Sequence, residues 1–191
     1  MKVCIIPARG GSVRIPKKNI RPFHGKPIIE YSIQTATDSG LFSMVVVSTD
    51  DDEVAKVAQM AGAAVVWRDK DDGTKGTQEV AADVLKKMPG VDFACVLYPC
   101  APLVLAEDLR DAFKAVNMGA QYAMAVGDPL ADAGAFYFGR AAAFIDGKSL
   151  IQPGTAMIPL PAERVCDINT EADWLKAEKL YVTMKGANAN R

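Results

Sequence analysis

Apolar positions recur along this chain with two alternating periods. Residues 3–7, 43–50, 63–68 and 92–99 are short apolar runs, rich in Val and Ile or aromatic residues, with the length of buried strands. The segments between them carry apolar residues at helical spacing. In residues 26–40 these are Ile28, Ile29, Tyr31, Ile33 and Ala36, and Gly40 is a natural stop. Residues 51–63 open on Asp51, Asp52 and Glu53, where a helix dipole favours acids, and close on Gly62. Two more helices are predicted over 76–90 and 105–119, further strands over 122–127 and 134–139, and a last helix over 170–185. On that helix Trp174, Ala177, Leu180 and Tyr181 share a face.

A βαβαβαβα order implies an α/β fold with a mostly parallel central sheet and helices on both faces, joined by right-handed crossovers. Ligands of such sheets lie beyond the C-terminal strand ends, where the strand order reverses. Residues 1–185 read as one domain and residues 186–191, "GANANR", as a flexible tail. The first apolar run is too short for a signal peptide, and no run reaches the length needed to span a bilayer. Cys4, Cys95, Cys100 and Cys166 form no CxxC pair and read as free thiols, so the expectation is a soluble, cytoplasmic protein.

The net charge of −1 excludes a whole-surface electrostatic footprint for nucleic acid or membrane, so neither is an expected partner. An anion site must therefore be local. The loop after the first strand supplies one: Arg9, Arg14, Lys17, Lys18, Arg21 and Lys26 precede any acid, which first comes at Glu30. Gly10 and Gly11 allow close backbone approach to an anion. Arg9 and Lys18 can meet a polyphosphate, and Asn19 can both donate and accept, which suits a ribose or base edge. The loop is neither a Walker A motif nor a GxGxxG fingerprint. His24, the sole histidine, reads as a surface residue, and Cys100 has no histidine partner in sequence that would make it a nucleophile.

"IPARGGSVRIPKKNI", "HGKPIIEYSI", "VVVSTDDDEVAKVAQMAGA", "YPCAPL", "DAGAFYFG" and "CDINTEADWLKAEKLY" follow one another in that order. Together they resemble the acylneuraminate cytidylyltransferases, the CMP-sugar synthetases of sialic-acid-type sugars, and most nearly the pseudaminic acid branch. The resemblance implies a Rossmann-like nucleotidyltransferase fold. It also implies transfer of CMP from CTP to the anomeric hydroxyl of a nonulosonic acid, with a divalent metal, Mg2+, and release of pyrophosphate.

The roles it implies are specific. Ala8, Arg9, Gly10, Gly11, Ser12, Lys18 and Asn19 would bind CTP, with Asp50 at the nucleoside. Asp51, Asp52 and Glu53 read equally well as a helix start. Either Thr74 or Thr77 would reach the nucleotide, and a mere helix cap explains them too. Tyr98, Pro99, Cys100 and Ala101 would line the sugar pocket. Asp167 and Asn169 would hold the metal, the family having acids at both positions, and Asn169 or Thr170 would also cap the last helix. Arg9, Lys18 and Asp167 carry the catalytic expectation.

Three departures stand out. Val13 replaces the family's usual lysine, and Asn169 replaces its second acid. Only "LADA" separates Pro129 from Gly134, where the family carries a dimerisation arm of a few dozen residues. CTP and a small acidic sugar are the expected partners, and a homodimer stays open without that arm. The competing expectations are a nucleotide- or sugar-binding homologue weakened by these changes, and a cytidylyltransferase for another sugar acid such as the lipopolysaccharide octulosonate.

Overall fold

The protein is seen here as a computed structural model that describes residues 1–70 and 74–189. The predicted strands and helices form, with ends that differ from the predicted bounds by up to a few residues. β1 is Lys2–Pro7, β2 Pro22–Phe23 and β3 Lys26–Pro27, followed by α1 Ile28–Asp38. Next come β4 Met44–Thr49, α2 Asp52–Met60, β5 Ala64–Trp67 and α3 Thr77–Lys86. β6 Phe93–Leu97 leads to α4 Ala106–Asn117, then β7 Tyr122–Val126 and β8 Asp132–Arg140. The chain ends in α5 Ala141–Ile145, β9 Ala156–Pro159 and α6 Glu171–Ala189.

Seven strands make one sheet in the order β5-β4-β1-β6-β8-β7-β9. β5, β4, β1 and β6 are mutually parallel, β8 runs antiparallel to both β6 and β7, and β9 pairs parallel to β7. Alternation along the buried strands separates two cores. Cys4, Ile6, Val47, Cys95 and Leu97 face α1, α2 and α4, whereas Val3, Ile5, Val46, Ala94 and Val96 face α3 and α5. Helices therefore cover both faces, as the pattern predicts. The chain leaves β1 toward β4 on one side and returns to β6 on the other. The C-terminal ends of β1 and β6 are thus the point where the strand order reverses.

A third cluster lies at that end of the sheet. Ile15 from the first loop, Phe23 from the β2–β3 hairpin, Ile28, Tyr31, Ile168 and Trp174 pack together. Trp174 is 1% exposed, and Arg21 lies over its ring at 4.4 Å while pairing with Glu171 at 2.6 Å. This cluster ties the basic loop to α6.

The chain passes from β7 to β8 through residues 127–131, a turn closed by Gly127 N–H to Ala131 O at 2.8 Å. The expected tail begins at Gly186. α6 continues through it to Ala189, because each added residue gains one backbone hydrogen bond and the added residues include two alanines. The rest of that expected tail, Asn190 and Arg191, lies outside the described residues. Among the described residues no helix is long and apolar enough to cross a membrane.

Candidate active site

A cavity of about 280 Å³ opens at the strand-order reversal. Pro7 and Arg9 enter it from the end of β1, and Ser12, Val13, Arg14, Lys18 and Asn19 from the loop that follows. Tyr98, Pro99 and Cys100 come from the end of β6, and Thr77 and Val80 from the start of α3. Asp167, Ile168 and Asn169 close the remaining side.

The segment before α6 shows how the sequence builds a wall. Ile168 is 1% exposed and inserts into the aromatic cluster, which stabilises it by about 1.5–3 kcal/mol. In extended chain the flanking residues then point the other way, so Asp167 and Asn169 both face the cavity. Asp173 holds the start of α6 by accepting from the backbone N–H groups of Asn169 and Thr170 at 3.1 and 2.8 Å. Those bonds, with the Thr170 hydroxyl foremost, keep its carboxyl below the usual range. Capping in this stretch thus falls to Asp173 together with Thr170.

The first loop is pinned rather than free. Gly10 N–H donates to Asp50 Oδ1 at 2.9 Å, and a Cβ on Gly10 would lie 2.4 Å from Asp51 Oδ2. Only glycine lets the loop approach the start of α2 so closely. Asn19 is 6% exposed; its Nδ2 donates to Arg9 O at 2.9 Å and its Oδ1 accepts from the Cys100 thiol at 3.4 Å. Lys18 Nζ donates to Ile168 O at 2.5 Å.

These bonds sort the expected residues. Arg9, Ser12, Lys18, Asn19, Thr77, Tyr98, Pro99, Cys100, Asp167 and Asn169 are brought together around one cavity. Five others are not on its wall. Ala8 is buried and hydrogen-bonds to Ser48 O, Gly10 and Gly11 shape the loop behind it, and Ala101 sits in the core with α4. Asp50, expected at the nucleoside, is also off this wall, and its Oδ1 accepts from Gly10 N–H. Asp51 caps α2 through Glu53 and Val54 N–H, both at 2.9 Å, so the acidic run is a helix start. Thr77 rather than Thr74 reaches the cavity, and its hydroxyl meets the Tyr98 hydroxyl at 3.0 Å.

Burial pushes the Cys100 thiol up to about 12, with Lys18 pulling it part of the way back, so it stays protonated near neutral pH. His24 stacks on Tyr181 at 5.1 Å, on a surface away from the cavity.

Sequence reading missed Arg68 and Lys75, which line the side toward β5 and α3. Arg68 had a signal: it is the cation that closes a strand run, and strand ends converge on the ligand site. Among the described lining residues are five cations, Arg9, Arg14, Lys18, Arg68 and Lys75, and one carboxylate, Asp167; Lys75 is paired with Asp83 at 2.8 Å. Such a wall attracts a polyanion.

Asn169 lies between Arg14 and Asp167. Arg14 Nη2 donates to Asn169 Oδ1 at 2.8 Å, and Asn169 Nδ2 donates to Asp167 Oδ2 at 2.6 Å. Asp167 fits a divalent cation as a hard oxygen ligand, but Asn169 turns its nitrogen toward that carboxylate. No group of three His, Cys, Asp or Glu side chains among the described residues could hold a metal. A cation here must take most of its ligands from a bound phosphate and water.

The family described as "Cytidylyltransferase" matches residues 3–138. The pseudaminic acid cytidylyltransferase of Campylobacter jejuni is 36% identical over 221 aligned positions, covering 94% of this chain and 95% of that protein. Since 94% of 191 residues is about 180, about 40 of those 221 positions face gaps in this chain. The CMP-N,N'-diacetyllegionaminic acid synthase of Legionella pneumophila is 37% identical over 117 positions, 58% of this chain and 50% of that protein. Among solved structures, CMP:2-keto-3-deoxy-manno-octonic acid synthetase complexed with CTP superposes with a TM-score of 0.76 at 16% identity. That likeness covers 96% of this chain and 99% of the other, and it is one of fold.

Proposed function

The chain belongs to the cytidylyltransferase family, and from that membership we propose that it transfers CMP from CTP to the anomeric hydroxyl of a nonulosonic acid of the pseudaminic or legionaminic type. The observation that carries this reading is the cavity wall, with its excess of cations at the end of β1 and a lone carboxylate opposite.

The anomeric oxygen attacks the α-phosphorus in line. An oxygen–phosphorus bond forms, the bond from the α-phosphorus to the oxygen bridging toward the β-phosphorus breaks, and pyrophosphate carries that electron pair away. The hydroxyl proton leaves to solvent. Arg9, Lys18 and Arg14 hold the triphosphate and offset charge that grows on the leaving pyrophosphate. Lys18 is aimed by its bond to Ile168 O, and Arg14 by its bond to Asn169. Tyr98, fixed to Thr77, walls the side where the sugar would enter. Magnesium, held by the Asp167 carboxylate, would supply further charge neutralisation at the phosphates. No protein thiol or imidazole takes part, since Cys100 stays protonated and His24 is remote.

The test is pyrophosphate release with CTP and magnesium against pseudaminic, legionaminic and sialic acids and the octulosonate. Release with a nonulosonic acid is expected, and release with the octulosonate alone would reassign the sugar. Silence across the panel from protein that binds CTP would replace the enzyme reading with a binding role.

A further inference from the structure

The hydrogen bonds of Asn169 run in one direction only. A guanidinium has donors and no acceptor, and an ionised carboxylate has acceptors and no donor. An amide between them has a single satisfied orientation, with its oxygen to Arg14 and its nitrogen to Asp167, as the structure has it. In that orientation Asn169 offers nothing to a cation at Asp167. It instead joins a cation and an anion of the cavity wall.

We propose that Asn169 is a positioning residue that fixes Arg14 against Asp167, and that this arrangement lets the chain bind the triphosphate of CTP without a divalent ion. The inference rests on the nucleotide reading above. Two cations are moored to one short stretch: Lys18 to Ile168 O and Arg14 to the Asn169 side chain. That stretch is itself anchored by Ile168, which is 1% exposed. The cations are therefore in place before the ligand arrives, which removes part of the ordering cost of binding. Arg9, Arg14 and Lys18 line the cavity with one carboxylate, Asp167, on the same wall, so side chains themselves oppose the charge of the polyanion. An aspartate at 169 would still accept from Arg14. It would also set a second carboxylate beside Asp167 and the phosphates, and that repulsion would need a cation to relieve it.

Calorimetric titration of the full chain with CTP, in EDTA and again in magnesium, tests this. For the native protein the dissociation constant should change by less than about threefold, while N169D should bind at least about tenfold more weakly in EDTA and recover in magnesium. N169L, which frees Arg14 without adding charge, should bind more weakly than the native protein by a similar factor in both conditions. Circular dichroism checks that each variant is folded. Native binding that falls about tenfold or more in EDTA overturns the proposal, as does N169D or N169L that titrates like the native protein. Native protein that does not bind CTP even with magnesium would instead remove the nucleotide reading itself.

Discussion

Gly134 is the position where the backbone of the sheet meets the site. Its φ is +58°, and a Cβ there would stand 2.9 Å from Asp167 Cγ, 3.1 Å from its Cβ and 3.1 Å from its Oδ2. The strand start is held in this shape by Asp132, which accepts from Gly134 N–H at 2.9 Å and also from the Tyr137 hydroxyl. G134A therefore has two costs. The left-handed conformation costs about 1–2 kcal/mol for a residue with a Cβ. Overpacking against Asp167 adds about 1–3 kcal/mol, and turning the carboxylate alone cannot relieve a contact that includes Asp167 Cβ. At roughly 2–4 °C per kcal/mol for a chain of this size, the melting temperature should fall by roughly 5–15 °C. Displacing Asp167 by about 1 Å should lower turnover per folded molecule about 100-fold. G139A is the control. Its Cβ would meet the Tyr122 ring at 2.4 Å, in the core between β8 and α5 and away from the cavity. It should melt early as well, yet keep its turnover once folded. Thermal unfolding and pyrophosphate release on the same samples decide the matter. If G134A melts early but turns over like the native protein, Asp167 does not act where the structure puts it.

Two further outcomes follow from the same cavity. Val13 is 88% exposed at its rim, so V13K adds charge without disturbing packing, and turnover should rise; no gain in a folded variant that binds CTP would refute a role for charge at this position. Cys100, 8% exposed with its thiol pushed up to about 12, should resist iodoacetamide at pH 8, where only about one molecule in ten thousand carries the thiolate. Peptide mass spectrometry that finds Cys100 labelled at the rate of a free thiol would contradict its burial.

The sheet was legible because its strands are buried on both faces and read as continuous apolar runs, while the helices carry one apolar stripe each. β9, with residues alternately half-buried and exposed, and the five-residue α5 are too short for a period to show. The site was legible to the extent that it follows from topology and loop chemistry. Arg9, Lys18 and Asn19 lie just past the first strand, in a loop whose glycines and cations stand out in the sequence. What remained hidden was the use of each polar atom. Asp50 looks like a ligand group in sequence, yet its oxygen serves Gly10 N–H. Asn169 looks like a weakened metal ligand, yet its two ends serve Arg14 and Asp167. A sequence names donors and acceptors but not their partners, and partners decide which groups remain for a substrate.

The two side-chain departures from the family pattern bear on one another. Relative to the lysine and the acid that the resemblance leads one to expect, Val13 removes one positive charge and Asn169 removes one negative charge. Both residues line the same cavity, so its net charge is unchanged. What changes is the distribution. The expected lysine is replaced at an exposed rim position, whereas Arg14, the next residue and itself exposed, is held by Asn169. A cation at position 14 needs an acceptor in the wall to hold it. An acid there would neutralise it and add to repulsion from the phosphates, whereas an amide oxygen holds it and leaves its charge intact. Seen this way, Val13 and Asn169 are not two independent losses. Together they leave Arg14, bound through Asn169 beside Asp167, as the cation of this stretch of the loop.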